Sequence, residues 1–169
     1  MKINLSARQW GVFFTVASAA VIGAVFYSQY VLKMPPCHLC LMQRIPFYVA
    51  FVLGLLTIVF ADAPRIRTTL LALLAVTFLT GAGLALFHFG VEEKWWTYAS
   101  GCSSGQTAFQ PGASVEEMMA ALKKAPTVRC DQAITFLFGM SMAFYNILTS
   151  AVLSIAAIYA VITRNAIRG

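Results

Sequence analysis

The chain has 169 residues, of which 60% are hydrophobic and only 11% are charged. A soluble domain usually has about 25% charged residues, so these few polar side chains cannot cover a soluble globule of this size. The formal net charge of +6 would suit a nucleic-acid partner in a soluble protein. Basic residues beside apolar segments more often set membrane orientation, however. The composition therefore indicates a membrane protein and argues against nucleic-acid binding.

Four apolar stretches are long enough to cross the hydrocarbon core of a bilayer, which takes about 20 residues. They cover approximately residues 10–32, 45–61, 70–89 and 134–162. The first stretch follows Lys2 and Arg8 as a signal peptide would, but its apolar run is too long, and we interpret it as a retained anchor. The pattern predicts an all-α membrane protein, a four-helix bundle that forms a single domain over residues 1–169.

An even number of spans places both termini and the short turn at 62–69 on one side of the membrane. The loops at 33–44 and 90–133 then lie on the other side. Basic residues of the terminal side sit in short segments beside the membrane, where the positive-inside rule counts most, and only Asp62 opposes them. We therefore expect cytoplasmic termini. In the inner membrane of a Gram-negative cell, both loops would then lie in the periplasm.

All the cysteines fall on the predicted periplasmic side, where disulfides persist: Cys37, Cys40, Cys102 and Cys130. Their spacing alone does not decide how they pair. Cys102 and Cys130 lie at opposite ends of the long loop, so a bond between them would tether that loop. Such a bond could exchange with a partner protein, and the alternative is a purely structural disulfide. Serine and glycine residues around Cys102 predict an exposed, mobile sulfur that faces a partner.

The long loop also contains a predicted helix. Ser114 and Glu117 form a capping-box pattern, and apolar residues then recur at helical spacing: Val115, Met118, Met119 and Leu122. We expect a short amphipathic helix that lies on the membrane surface. The alternative is a solvated helix that packs on its own loop.

Cys37 and Cys40 form a C-x-x-C motif directly after Pro35 and Pro36. This spacing allows a small-ring disulfide that is readily made and broken, and such motifs commonly favour the thiolate. Cys40 also precedes the second span, near the partial positive charge of a helix N-terminus. The motif favours redox chemistry at the lipid boundary. A structural disulfide and a zinc site that includes His38 are the alternatives.

Two other side chains are candidates for the same chemistry. Arg44 would lie one helical turn after Cys40, where its charge would favour a thiolate or an anionic reduced acceptor. A helix that begins near Pro46 would instead leave Arg44 in the loop as an interface arginine. His88 lies one turn before Glu92 at the end of the third span, and could supply protons to a reduced quinone. The alternative for His88 is a hydrogen-bonded interface histidine.

Three segments resemble the disulfide bond formation protein B (DsbB) family. Residues 37–44 (CHLCLMQR) are similar to its first redox loop. The end of its third helix is resembled by residues 88–92 (HFGVE) together with Trp95 and Trp96. Residues 130–132 (CDQ), 136–143 (FLFGMSMA) and 145–146 (YN) resemble the start of its fourth helix. The resemblance covers nearly the whole chain. His38 departs from the proline or other residues that many members carry, which leaves the redox potential open.

The resemblance implies a protein-dithiol:quinone oxidoreductase with redox-active disulfides Cys37–Cys40 and Cys102–Cys130, which sustains protein disulfide formation. A reduced periplasmic thiol oxidase of the DsbA type would attack Cys102, and Cys130 would then exchange with the first pair. Cys40 would meet the quinone, with Arg44 holding it and His88 nearby. Ubiquinone is expected ahead of menaquinone, and no metal is expected.

Two other functions remain as alternatives. A vitamin K epoxide reductase-like enzyme also has a four-helix bundle, but its quinone-proximal C-x-x-C lies in the last helix rather than before the second. A non-catalytic membrane scaffold with two stapling disulfides would use the same cysteines without turnover.

Overall fold

The computed structural model describes residues 5–96, 130 and 139–166, with side chains as far as Thr163. Throughout these residues the regular structure is helical and there is no strand. Within the same part of the chain, four helical segments are long and apolar enough to span a membrane. The predicted four-helix membrane architecture is therefore confirmed. The predicted surface helix between Ser114 and Leu122 lies outside the described residues.

The helices follow one another along the chain as α1 (Ala7–Tyr30), α2 (His38–Met42), α3 (Ile45–Val59), α4 (Pro64–Glu92) and α5 (Met142–Ala166). α2 and α3 together make up the second span, while α1, α4 and α5 each make up one. α4 packs against α5, α1 against α3, and α3 against α4.

α1 and α4 begin earlier than the apolar stretches from which the spans were predicted, whereas α1 and α3 end slightly earlier, at Tyr30 and Val59 rather than at 32 and 61. α1 begins at Ala7 because Ser6 and Gln9 form a reciprocal capping box. α4 begins at Pro64 rather than near residue 70, since proline suits the first turn of a helix. The predicted turn at 62–69 is accordingly replaced by a shorter connection at 60–63. α5 begins at Met142, and the described residues 139–141 before it are not α-helical, so the predicted fourth span is wrong at those positions. Its predicted start near residue 134 lies outside the described residues.

Apolar side chains cover both the inside and the outside of the bundle. The interior contains Trp10, Phe14, Phe47, Leu74, Phe78 and Leu153. On the outer faces, Val16 and Ile155 are 61% and 67% exposed. An outer surface of this kind suits lipid as the solvent, because lipid tails are as apolar as these side chains.

α1 and α3 approach closely where two glycines face each other. A Cβ atom added to Gly54 would lie 2.5 Å from Thr15 Oγ1, 3.0 Å from the Thr15 backbone nitrogen and 3.2 Å from the Gly11 carbonyl oxygen. Because backbone atoms cannot move aside as flexible side chains do, the missing side chain at Gly54 sets the distance between these helices. Small residues have this function at many helix contacts in membranes.

We predict that Gly54→Ala weakens the contact between α1 and α3 and destabilises the folded protein by about 1–3 kcal/mol. Denaturant titration of the protein in detergent micelles would measure this loss. Gly23→Ala is the matched control on α1, since an added Cβ there meets nothing within 4 Å. Equal destabilisation by the two variants would contradict close packing at Gly54.

Candidate functional site

The two cysteines of the C-x-x-C motif are brought together by the first turn of α2. Cys37 is the N-cap of this helix, and its Sγ accepts a hydrogen bond from the Cys40 backbone N–H at 3.3 Å. The thiol of Cys37 in turn donates to the Cys40 Sγ at 2.8 Å. An N-cap side chain normally uses oxygen to satisfy a free N–H of the first turn, and here sulfur does so. The pair is a dithiol, so the disulfide Cys37–Cys40 stays a prediction.

The two thiols have different surroundings. Cys37 is 2% exposed and packs among Leu39, Val91 and Cys130. Its hydrogen bond to Cys40 and its burial raise the pKa of Cys37 to about 12, although His88 acts in the opposite direction. Cys40 is half-buried and lines a cavity. Cys37 is therefore the protonated inner thiol, and Cys40 is the outer sulfur with access to the cavity.

His88 lies on the inner side of the cysteine pair. Its Nε2 is 3.6 Å from the Cys37 Sγ and 3.7 Å from Glu92 Oε1, and its Nδ1 is 2.7 Å from Gln43 Nε2. The side chain is buried, and His88 does not belong to the described residues that line the cavity. The structure places His88 against Cys37, and Gln43, to which His88 is hydrogen-bonded, lines the cavity. The position of His88 near a quinone therefore stays a prediction.

Gln43 and Asn146 belong to this site but were not singled out from the sequence. Gln43 is the C-cap of α2, and its Oε1 accepts a hydrogen bond from Asn146 Nδ2 on α5. Both residues line the cavity. A usable signal was present at Asn146, because an amide within an apolar span marks a functional position by default.

The cavity beside Cys40 has a volume of about 540 Å³ and lies between α1, α3 and α5. Its wall is largely apolar and also includes Arg44, Phe47 and Tyr145. Arg44 is the N-cap of α3, with Pro46 in the first turn, and its guanidinium lies 5.7 Å from the centre of the Phe26 ring. Arg44 is thus not on the same helix as Cys40, but both side chains reach the same cavity.

One atom of Arg44 remains unsatisfied. Its Nε is buried and has no hydrogen-bond partner among the residues that the structure describes. A buried polar group without a partner is costly. Because Arg44 also lines the cavity, its guanidinium is suited to hold an acceptor oxygen of a molecule there.

The second predicted cysteine pair is only partly described. Cys130 is 3% exposed and packs beside Cys37 and Val91. Cys102 lies outside the described residues, so the disulfide Cys102–Cys130 and the exposure of Cys102 stay predictions. The structure nonetheless brings Cys130 from the long loop to the C-x-x-C motif.

The donor atoms of Cys37, Cys40 and His88 all lie within 4.8 Å of one another. This spacing is compatible with a soft metal ion as well as with redox chemistry. The zinc alternative from the sequence had used His38, whereas the structure places His88 beside the sulfurs.

A comparison with protein families matches residues 7–160 to the family described as disulfide bond formation protein DsbB. The chain belongs to this family. It is 25% identical to disulfide bond formation protein B of Chromobacterium violaceum, over 86% of this chain and 87% of that protein. It is 24% identical to the uncharacterised protein RP370 of Rickettsia prowazekii, over 82% of this chain and 78% of that protein.

A third relative, disulfide bond formation protein B 2 of Pseudomonas syringae, is 38% identical over 72 residues, which is 41% of each chain. Membership of the DsbB family and the four spanning helices together identify a multi-pass membrane oxidoreductase of disulfide bond formation.

We predict that alkylation of the reduced protein modifies Cys40 before Cys37. Because its pKa is raised to about 12, Cys37 carries little thiolate between about pH 7 and 9, and only thiolates react. A pulse of iodoacetamide followed by peptide mass spectrometry should show at least about a tenfold difference in rate. Equal rates for the two cysteines in this pH range would contradict the assignment of inner and outer thiols.

Proposed function

We propose that this protein is a protein-dithiol:quinone oxidoreductase that reoxidises a periplasmic thiol oxidase of the DsbA type. The electrons pass through the pairs Cys102–Cys130 and Cys37–Cys40 to a quinone of the membrane. The observation that carries the proposal is the position of Cys40. It is the outer sulfur of a hydrogen-bonded cysteine pair, and it lines an apolar cavity together with Arg44.

The cavity residues fit a quinone. Its largely apolar wall would hold the ring and the start of an isoprenoid tail, while the guanidinium of Arg44 offers donors for a carbonyl oxygen. When bound, a quinone supplies an acceptor of two electrons and two protons that dissolves in the bilayer. Ubiquinone is the proposed acceptor ahead of menaquinone.

Two residues of the chain favour negative charge on the Cys40 sulfur. Cys37 donates a hydrogen bond to Cys40, which favours negative charge on the sulfur that faces the cavity. The Arg44 guanidinium lines the same cavity and favours that charge as well. Cys40 is thus the nucleophile, and Cys37 completes the disulfide.

Exchange with the partner uses the other pair. Thiol–disulfide exchange requires a thiolate that attacks an accessible sulfur. A thiolate of the partner would attack Cys102, which forms a mixed disulfide and releases Cys130 as a thiolate. Cys130 would then attack Cys37 of the Cys37–Cys40 disulfide and release Cys40 as a thiolate, and the packing of Cys130 beside Cys37 supports this step. The second thiol of the partner would displace Cys102, and Cys102 would displace Cys37 from Cys130, which restores the Cys102–Cys130 disulfide. One dithiol of the partner is thus oxidised for each Cys37–Cys40 disulfide that is reduced.

The proposed location is the inner membrane, with cytoplasmic termini and periplasmic cysteines. An ion pair of 3.7 Å between Arg8 and Asp62 joins the start of α1 to the short connection before α4. This end of the bundle holds the basic segments that the positive-inside rule assigns to the cytoplasm. The cysteine site lies at the opposite end.

We predict that Cys40→Ala abolishes quinone-dependent reoxidation of a reduced DsbA-type substrate. Loss of a nucleophile typically lowers turnover by at least about a hundredfold. Membranes that contain the variant would be assayed for substrate oxidation with added quinone. Gly83→Ala on α4 would serve as the control, since an added Cβ there meets nothing within 4 Å. Normal turnover by Cys40→Ala would refute the relay and favour a scaffold with stapling disulfides.

We further predict that Arg44→Ala raises the apparent KM for quinone about tenfold, since a hydrogen bond from a charged donor is lost. The KM for the protein substrate should stay the same, because Arg44 faces the cavity. Arg8→Ala removes an arginine at the other end of the bundle and is the control for general charge loss. An unchanged quinone KM in Arg44→Ala would count against this function of Arg44.

A further inference from the structure

A continuous line of hydrogen bonds crosses the bundle beneath the cysteine pair. Ser150 Oγ donates to Asn146 Oδ1 at 3.1 Å on α5, and Asn146 Nδ2 donates to Gln43 Oε1. The Nε2 of Gln43 lies 2.7 Å from His88 Nδ1 on α4. Gln43, His88 and Ser150 are buried, and Asn146 is half-buried. Polar side chains are costly within a membrane, so a connected set of this kind calls for a function.

The line has a direction, because a side-chain amide has a donor end and an acceptor end. The Oε1 of Gln43 is occupied by Asn146, which leaves Nε2 to face His88. Since Nε2 of an amide can only donate, Nδ1 of His88 must accept. A neutral imidazole that accepts at Nδ1 carries its proton on Nε2.

The direction continues into the cysteine pair. The Nε2 of His88 faces the Cys37 Sγ at 3.6 Å, and the Cys37 thiol donates to Cys40 at 2.8 Å. Each group from Ser150 to Cys37 therefore donates toward Cys40. Hydrogen bonds aligned in this way polarise and strengthen one another, so the chain stabilises a negative charge on its last acceptor, the Cys40 sulfur.

We propose that Asn146 and Gln43 are positioning residues that fix the tautomer of His88, so that His88 donates to Cys37 and supports the anionic state of the sulfur pair. The proposal deepens the proposed function, because it assigns the support of the Cys40 nucleophile to residues that touch neither sulfur. In this proposal His88 donates a hydrogen bond to Cys37 and does not take a proton from the Cys37 thiol.

The other charged and titratable groups around His88 and the cysteines are consistent with this tautomer. Glu92 Oε1 lies 3.7 Å from the same Nε2 and is a second acceptor for its proton. Arg44 faces the cavity, on the far side of Gln43, and Cys130 packs beside Cys37. In the described part of the site, a carboxylate and a sulfur thus face Nε2, while the donor of Gln43 faces Nδ1.

Asn146→Asp tests the proposal with almost no change in shape. An ionised aspartate has only acceptors, so Gln43 would turn its Nε2 toward residue 146 and present Oε1 to His88. The proton of His88 would then move to Nδ1, and a lone pair on Nε2 would face Cys37. NMR of ¹⁵N-labelled histidine distinguishes the two tautomers, and a His38→Gln background leaves His88 as the single histidine.

We expect the Nε2–H tautomer in the parent protein and the Nδ1–H tautomer in Asn146→Asp. The rate of Cys40 alkylation by iodoacetamide in the reduced protein should fall about tenfold, as for the loss of a hydrogen bond to a charged group. Thr163→Val is the control on α5, since its hydroxyl bonds only within the helix, to the carbonyls of Tyr159 and Ala160. It should leave both the tautomer and the rate unchanged.

NMR of ¹³C-labelled aspartate identifies the pH range in which residue 146 is ionised. In that range an Nε2–H tautomer in Asn146→Asp would overturn the proposal, and so would a switched tautomer with an unchanged alkylation rate. If Asn146→Asp does not fold, Asn146→Leu replaces it. Gln43 then loses the donor to its Oε1 and is free to turn, so a mixture of tautomers is expected, and a pure Nε2–H tautomer would overturn the proposal. Neither measurement uses quinone or a partner protein. A failure of the proposed function would therefore appear only in the turnover assay, and a failure of this inference only in the spectrum and the alkylation rate.

Discussion

The hydrogen bond from the Cys40 backbone N–H to the Cys37 sulfur fixes the arrangement of the whole site. It makes Cys37 the N-cap of α2, and the helical turn that follows brings the Cys40 sulfur next to it. The two sulfurs then face different surroundings, Cys37 toward His88 and Cys40 toward the cavity. One capping interaction thus creates an inner and an outer thiol from two residues of the same type.

The bundle around this site has lipid as its solvent, and its polar groups are arranged accordingly. Isolated hydroxyls on the spans, such as those of Thr57 and Thr77, donate to carbonyls of their own helix. Such bonds satisfy the hydroxyl without linking two helices. Gln43, His88 and Asn146 differ, because their hydrogen bonds join three parts of the fold. Among the described residues, polar side chains whose hydrogen bonds link one helix to another therefore cluster at the cysteine site.

Much of the fold and part of the site could be predicted from the sequence. Long apolar stretches indicated the four spans, and the C-x-x-C spacing indicated that Cys37 and Cys40 are neighbours. The starts of α1 and α4 were placed too far inward, since the capping box at Ser6 and the proline in the first turn of α4 extend these helices into polar sequence. The contact between Gln43 and Asn146 joins residues 103 positions apart, and it depends on the rotation of two helices about their axes. Periodicity alone does not determine that rotation.

The break between α2 and α3 at Gln43 and Arg44 has a consequence for how this segment can change in evolution. Adjacent residues point in different directions, so Gln43 reaches His88 while Arg44 reaches the cavity and the Phe26 ring. Insertion or deletion of one residue would turn the following side chains by about 100° and exchange these two directions. Substitutions at the partly exposed Leu41 and Met42 would leave the directions intact. The length of the segment between Cys40 and Pro46 should therefore vary far less than its composition.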